Sequence, residues 1–146
     1  MDQPTDKRSR LAELAKKYNL GKEDFFKIHN TVIITRTGVE KIANSAGIEL
    51  RYELIYLNQD AHASGNNKYS TTENTCAAVK CIATMVTADG VTKTAESFGE
   101  SAPYNTKAPY PLAMAEKRAK ARAILMLTEF YSEGVYSEDE SDDFKR

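Results

Sequence analysis

The sequence is poor in the residues that build disulfide frameworks, metal sites and membrane spans. It has two cysteines and two histidines, and no apolar run approaches the roughly 20 residues that cross a bilayer. Cys76 and Cys81 are too few for a disulfide framework, and their odd spacing would direct them to opposite faces of a strand. Neither His29 nor His62 stands at ligand spacing from a cysteine, so no metal site is predicted.

Signals for export and for enzymatic chemistry are equally scarce. The charged N-terminus lacks the apolar segment of an export signal, which favours a cytoplasmic protein. A glycine-rich phosphate loop and the G-x-S-x-G and H-E-x-x-H motifs are absent. His62 lies near Asp60 and Ser64, but this glycine- and asparagine-bearing segment lacks the rigidity that a catalytic triad requires. We therefore expect a protein that is not an enzyme and uses no cofactor.

Charge is distributed unevenly along the chain. The net charge is −1, but residues 129–146 hold seven acids and two bases, so residues 1–128 carry +4. A modestly basic body with an acidic end permits a polyanionic partner without requiring one. We predict one domain over residues 1–131 and an acidic C-terminal tail over residues 132–146.

Apolar periodicity and turn residues predict an α+β fold. Between the first and last helices we expect two short strands around "HN", a short helix with a capping box at Thr37 and Glu40 that closes at Gly47, and a polar loop over residues 59–72. The order α-β-β-α-β-β-β-α predicts an antiparallel sheet backed by helices. Tyr52 and Tyr56 are expected in the sheet core. The long elements are predicted at residues 7–19 (helix), 48–58, 73–87 and 91–99 (strands) and 110–131 (helix).

The last helix combines an alanine seam, a cluster of bases and an apolar end. Ala115, Ala119 and Ala123 fall on one narrow stripe, which allows close approach to a sheet. Residues 124–127 are apolar around the whole circumference, so this turn should be buried, either in the domain or against a neighbouring subunit. The basic residues of the helix are Lys117, Arg118, Lys120 and Arg122.

These bases admit two interpretations. They can form a solvated helix face. Alternatively, Arg118 and Arg122, one turn apart beside a close-packed seam, make a rigid pair of phosphate-binding forks. The preceding loop interleaves Tyr104, Lys107 and Tyr110, which is the pattern of aromatic and basic residues that single-strand binding requires.

The order of "TVIITRTGVEKIANSAGI", a strand, a long loop, two strands and "AMAEKRAKARAILML" resembles small phage and plasmid proteins of the single-strand annealing superfamily, which includes the Erf and Redβ-type recombination proteins. The similarity covers roughly residues 25–130, and its sharpest motif is A-x-x-R-A-x-x-R-A in the last helix. The resemblance implies a β-β-β-α core, assembly into rings or filaments, and annealing of single-stranded DNA in a basic groove without nucleotide hydrolysis. Arg118 and Arg122 match the motif and would face DNA or a neighbouring subunit.

Further candidates for DNA contact lie outside that motif. Lys80, Lys93 and Lys107 are placed on or near the sheet, Lys117 and Lys120 flank the arginines, and Tyr104, Tyr110 or Tyr69 would stack on bases. The body charge of +4 is modest, so binding would depend on assembly that sums many small phosphate contacts.

The acidic tail has its own resemblance. "SEDESDDF" is similar to the acidic tips of single-strand binding proteins, which compete with DNA and dock on replication or recombination proteins through an aromatic end. Asp142, Asp143 and Phe144 would supply that contact, although Lys145 and Arg146 depart from the usual ending. The other interpretation is a solvating, disordered terminus.

Together these patterns predict a single-stranded DNA-binding and strand-annealing protein, borne by a phage or mobile element and acting as a homo-oligomer in the cytoplasm of a bacterial host. The alternative is a small mobile-element module that inhibits or sequesters a host protein or a nucleotide ligand. Salt separates the two, because DNA binding weakens steeply as counterions are added and a packed protein interface weakens much less.

Overall fold

The computed structural model describes residues 7–58, 61–63, 69–71, 76–102 and 110–140. It confirms the predicted α+β class, and the predicted order is broadly kept with three short strands added. The elements are α1 (Lys7–Lys17), β1 (Phe25–Ile28), β2 (Thr31–Ile34), α2 (Arg36–Ala46), β3 (Glu49–Asn58), β4 (Ala61–Ala63), β5 (Tyr69–Thr71), β6 (Cys76–Val86), β7 (Thr92–Ser101), α3 (Pro111–Leu127) and β8 (Val135–Ser137).

The larger sheet is an antiparallel meander in the order β3-β6-β7, and α3 covers one of its faces. The strand predicted over residues 73–87 is confirmed as β6, and its odd-numbered residues from Ala77 to Met85 are buried beneath the helix. Gly99 on β7 permits the close approach, because a Cβ there would lie 2.2 Å from the carbonyl oxygen of Ala115. The alanine seam therefore lies against the sheet as its spacing predicts.

The smaller sheet has the order β1-β2-β8, and its strands pack against α1, α2 and the end of α3. The two short strands predicted around "HN" are confirmed as β1 and β2, which form an antiparallel hairpin, whereas β8 pairs with β2 in parallel. Ile124 and Leu125 are fully buried here with Phe130, whose ring centroid is 5.8 Å from that of Tyr18. Ile124, Leu125 and Leu127 thus belong to the core of the domain itself, whereas Met126 is 43% exposed, so the expectation that the whole turn is buried is wrong for that residue.

The first half of the predicted acidic tail is folded against the domain. Val135 is fully buried and Glu140 is 7% exposed. Residues 132–140 are therefore part of the domain rather than of a tail. The acidic composition of this segment predicted a solvated tail. In the fold, however, the acids at 138–140 are counterions for arginines elsewhere in the domain.

Three local expectations are also corrected. The N-cap of α2 is Thr35, whose hydroxyl accepts a hydrogen bond from the Gly38 amide, and not Thr37; the predicted close at Gly47 is confirmed by its left-handed φ of 62°. β4 and β5 form a two-stranded ladder within the predicted loop. A β-bulge between Leu54 and Tyr56 interrupts β3.

The bulge changes the faces of β3. Tyr52 lies opposite Cys81 on the helix-covered face, whereas Tyr56 lies opposite Ala78 on the other face. The two tyrosines are 40% and 52% exposed, so their expected place in the sheet core is wrong. α3 packs over β6 and β7 and leaves the outer part of β3 uncovered.

Candidate nucleic-acid interface

Arg118 and Arg122 both point at the outer edge of β7. The Nη1 group of Arg118 donates to the carbonyl oxygen of Glu100 at 2.8 Å, and Nη1 of Arg122 donates to that of Phe98 at 2.8 Å. Four residues of helix rise about 6.0 Å, close to the roughly 6.7 Å that two residues of strand span. The i,i+4 spacing of the two arginines therefore matches the spacing of two carbonyls on a strand that runs antiparallel to α3.

The remaining donors of these arginines face the turn after β8. Nε of Arg122 lies 2.6 Å from Oε1 of Glu140, and Nε of Arg118 lies 3.5 Å from the Asp139 carbonyl. Arg118 is only 6% exposed. Burial opposes the charge of Arg122, but Glu140 and Glu100 prevail and raise the pKa of its guanidinium. In this arrangement both forks bind acceptors of the protein itself and cover the free edge of β7.

The acidic turn after β8 is held by several contacts of the same kind. Arg36 donates through its amide to Glu138 at 2.7 Å and through Nε to Asp139 at 2.7 Å. The hydroxyl of Tyr131 donates to Glu140 at 3.2 Å. Burial and the adjacent carboxylate of Glu140 raise the pKa of Tyr131 to about 12, so its proton stays in place at neutral pH. Through these contacts the turn attaches β8 to α2 and α3.

The predicted lysines are dispersed. Lys80 lies 3.4 Å from Glu96 and 4.0 Å from Glu53, and Lys120 pairs with Glu40. Lys117 and Lys93 are exposed, but α3 and β7 place them roughly 20 Å apart along the strand direction.

Of the aromatic candidates, Tyr110 is half-exposed, and Nζ of Lys117 lies 5.8 Å from its ring centroid in a cation–π contact. Tyr69 begins β5. Outside the described residues lie Tyr104, Lys107, Asp142, Asp143 and Phe144.

A different surface gathers basic and aromatic residues: a cleft of about 1070 Å³ between α1 and the β1–β2 hairpin, which we call the α1–β1 cleft. Its volume slightly exceeds the roughly 300–1,000 Å³ of typical small-molecule pockets. Among the described residues twelve line it, and none of these is an acid: Leu11, Ala12, Ala15, Lys16, Leu20, Gly21, Lys22, Phe25, Phe26, Lys27, Asn30 and Val32.

Local sequence explains how the cleft forms. Leu11 and Ala15 lie one turn apart on the side of α1 that lines the cleft, and Leu11 also packs against the core. The chain then turns through Gly21, whose amide donates to the Asp24 carboxylate at 2.9 Å, while the Thr35 amide donates to the Asp24 carbonyl at 2.8 Å. These bonds fix the start of β1 and hence the positions of Phe25 and Phe26.

The charge of the cleft is available for binding. Lys16, Lys22 and Lys27 are exposed, and none of them forms an ion pair with another described residue. Phe26 is 38% exposed, whereas Phe25 is partly buried against the core. The arrangement offers three ammonium groups around an apolar floor with an accessible aromatic ring.

This surface was not predicted from the sequence, although a signal was present. Residues 16–27, "KKYNLGKEDFFK", interleave lysines with aromatic residues, as the loop before α3 does. The A-x-x-R-A-x-x-R-A motif favoured α3 as the binding surface instead. The arginines of this motif bind backbone carbonyls, which every residue type has, so the sequence pattern does not reveal these partners.

Other kinds of site find no support in the described part of the chain. There, no group of three or more His, Cys, Asp and Glu side chains is placed to hold a metal ion. No helix among the described residues has the length and apolar character needed to cross a membrane. Burial raises the pKa of the Cys81 thiol to about 11, despite the opposing charge of Lys120, so this cysteine is a poor nucleophile at neutral pH.

No known protein family, curated protein or solved structure matches the chain.

Proposed function

We propose that this protein binds single-stranded DNA and anneals complementary strands as a homo-oligomer, without hydrolysing a nucleotide. The observation that carries the proposal is the α1–β1 cleft, in which Lys16, Lys22 and Lys27 surround Phe25 and Phe26. The proposed setting is the cytoplasm of a bacterial host, with a phage or mobile element as the source of the gene.

The chemistry of the cleft suits a single strand. Ammonium groups contact backbone phosphates, and an exposed aromatic ring stacks on a base, which contributes about 1–3 kcal/mol per base and tolerates any sequence. A duplex hides the faces of its bases, so Phe26 would favour unpaired DNA. The cleft therefore supports binding to single strands over duplexes.

The lining also suits annealing. Asn30 is the one uncharged polar side chain among the twelve lining residues, so few groups are available to hydrogen-bond the edges of bases. A strand held by its phosphates and base faces keeps its Watson–Crick edges free. A complementary strand could then pair with it while it is bound.

The number of lysines sets the expected strength. Three phosphate contacts give a slope of about −2 for log K against log salt, since each contact on a single strand contributes about −0.7. One chain would bind weakly, and several copies on one strand would bind far more tightly because their contacts add. This arithmetic is why the proposal includes a homo-oligomer.

The test is fluorescence anisotropy of a labelled poly-dT oligonucleotide at low and moderate salt. Lys22→Glu/Lys27→Glu should weaken binding at least tenfold and make the salt dependence shallower, whereas Lys93→Glu/Lys117→Glu, with the same change in net charge, should bind nearly as the native chain does. Phe26→Ala should weaken binding without changing the salt slope. Equal losses in both charge-reversal variants, or no binding by the native chain at low salt, would overturn the proposal.

Annealing is measured separately with two complementary labelled strands. The native chain should accelerate their pairing, and Lys22→Glu/Lys27→Glu should not. DNA binding without acceleration would reduce the proposal to strand protection. Arg118 and Arg122 are unsuitable for this test, because their contacts with β7 and the acidic turn make loss of folding a competing explanation.

The apolar floor of the α1–β1 cleft favours one alternative, a module that sequesters an acidic segment of a host protein. Such a partner would replace phosphates by carboxylates and bases by apolar side chains. Anisotropy distinguishes it directly, because the alternative predicts no binding to poly-dT at any salt concentration.

A further inference from the structure

β3 presents a long apolar edge with no strand partner among the described residues on its outer side. Every residue from Arg51 to Leu57 is exposed, and five of the seven are large and apolar. Leu54 is 57% exposed and Ile55 is 53% exposed. Natural edge strands are usually protected by charged side chains, proline, bulges, a covering element or short length, because open edges invite pairing with another chain. The bulge of β3 comes only after Leu54, and its charges at positions 49, 51 and 53 include both signs, so its first half stays open to a partner of complementary charge.

The opposite edge of the same sheet, on β7, is covered by side chains. Arg118 and Arg122 cover the outward carbonyls of β7 at Glu100 and Phe98. β3 has ten residues, contains neither lysine nor proline, and makes few contacts with α3. Protection of one edge and exposure of the other points to β3 as a surface that has a partner.

We propose that β3 pairs with β3 of a second copy of this chain, antiparallel and about a two-fold axis that passes through Tyr52. This inference deepens the homo-oligomeric part of the proposed function and rests on that part alone, since it involves no nucleic acid. The two three-stranded sheets would join into one sheet of six strands, with both α3 helices on the same face.

Charge and ladder length together select the register: an axis at Leu50 would also pair Glu49 with Arg51, but β3 begins at Glu49 and that ladder would have only three residues. When Tyr52 lies opposite Tyr52 of the second copy, Arg51 lies opposite Glu53, and symmetry makes this pair twice. In a continuous sheet, two residues that lie opposite each other must have their side chains on the same face, so the two-fold axis can pass only through a residue and not between two residues. Moving the axis to Arg51 places that arginine opposite its own copy and Glu49 opposite Glu53. Moving it to Glu53 places like carboxylates opposite each other.

Apolar packing agrees with the same register. Leu50 lies opposite Leu54 of the second copy on the face that α3 flanks, so two leucine pairs enclose the two Tyr52 rings. β3 is regular from Glu49 to the bulge after Leu54, so the longest symmetric ladders are centred on Arg51 or on Tyr52, and the like-charge pairs of the first leave Tyr52 as the centre. A two-fold interface uses both edges at once and closes the assembly as a dimer, which any ring or filament would then contain as its unit.

The test uses charge exchange in the full chain, with sedimentation velocity as the measurement and no DNA present. The native chain should sediment as a dimer at micromolar concentration. Arg51→Glu and Glu53→Arg each place like charges opposite each other twice and should raise the dissociation constant at least tenfold. An equimolar mixture of the two variants should form a heterodimer, because every pair is then opposite in charge, and the double variant Arg51→Glu/Glu53→Arg should dimerise with itself.

The structure offers matched controls. Glu96 and Glu53 have side chains that are each 51% exposed, and both lie within 4.0 Å of Lys80, but Glu96 is on β7. Glu96→Arg and Lys93→Glu should therefore leave the native dimer intact.

Recovery in the mixture shows that both single variants fold. A monomeric native chain, or single variants that dimerise as the native chain does, would overturn the inference. A dimer that does not bind poly-dT would overturn the proposed function and leave this inference standing. DNA binding by a chain that stays monomeric would overturn this inference together with the homo-oligomeric part of the proposed function, and would leave the DNA-binding part standing.

Discussion

Asp24 is a buried carboxylate that positions the start of β1. It is 1% exposed and accepts hydrogen bonds from the Gly21 amide and from Nζ of Lys41, each at 2.9 Å. Burial favours its protonated form, but the two hydrogen bonds and the charge of Lys41 prevail and lower its pKa. Because the folded pKa lies below the unfolded value of about 3.9, Asp24 stabilises the fold fully above that pH, and the contribution is lost as pH falls through the folded pKa.

Asp24→Asn removes the charge and keeps the shape. We expect a loss of about 1–3 kcal/mol in the free energy of unfolding at pH 7, since the Lys41 ammonium and the Gly21 amide lose a charged acceptor. Urea denaturation followed by circular dichroism should show the difference narrowing as pH falls below about 4. Glu23→Gln is the control, because Glu23 lies 3.6 Å from the same ammonium but is 73% exposed, and its loss should cost under about 0.5 kcal/mol. Equal stability of Asp24→Asn and the native chain at pH 7 would contradict this account.

At the scale of single residues, sequence patterns predicted positions better than partners. The spacing of Arg118 and Arg122 places both guanidinium groups beside the close-packed seam, while their role as phosphate-binding forks stays a prediction. Their acceptors are backbone carbonyls on β7, about twenty residues earlier in the chain, and any residue type supplies a carbonyl. Lys22 and Phe26 had a visible pattern, but only the fold shows that they lie in one cleft.

Among the elements, α3 and β7 approach each other closely at Gly99. A Cβ at Gly99 would lie 2.2 Å from the Ala115 carbonyl oxygen and 2.4 Å from the Ala119 amide nitrogen, and both atoms belong to the helix backbone. Gly99→Ala should therefore push the helix away from the sheet and cost about 2–3 kcal/mol or more. Urea denaturation measures this, with Thr94→Ala on the uncovered face of the same strand as the control. A Gly99→Ala chain as stable as Thr94→Ala would show that the helix can move without cost.

Elements with strong local signals were predictable, and those defined by distant contacts were not. The β1–β2 hairpin, β6 and α3 follow from periodicity and turn residues. β8 has three residues within an acidic segment, and its strand character depends on parallel pairing with β2. No glycine or proline marks the bulge in β3, so the sequence does not predict that Tyr56 lies on the opposite face of the sheet from Tyr52.

At the scale of the whole molecule, α3 belongs to both apolar cores. Ile124 and Leu125 pack with α1 and α2, whereas Ala115 and Leu127 pack beneath the larger sheet. Sharing one helix couples the two cores, so the described part of the chain should unfold as one cooperative unit.

Shortened chains test this coupling. Ending the chain at Tyr131 removes Val135, which is fully buried, and Glu140, which pairs with Arg122. The combined loss should exceed about 3 kcal/mol and broaden or abolish the urea transition. A chain that ends at Glu140 keeps both contacts and is the matched control; it is also the appropriate form for testing the acidic terminus in DNA binding. If the two shortened chains were equally stable, β8 would not be an integral strand of the domain.

The pairing of β2 with β8 also bears on synthesis. Val32 and Val135 are neighbours in the sheet but about 100 residues apart in the chain. At about 5–20 residues per second, a ribosome delivers β8 roughly 5–20 seconds after β2. During that interval one edge of β2 has no native partner, so the pace of translation, rather than the stability of the finished sheet, determines how long this strand is open to aggregation.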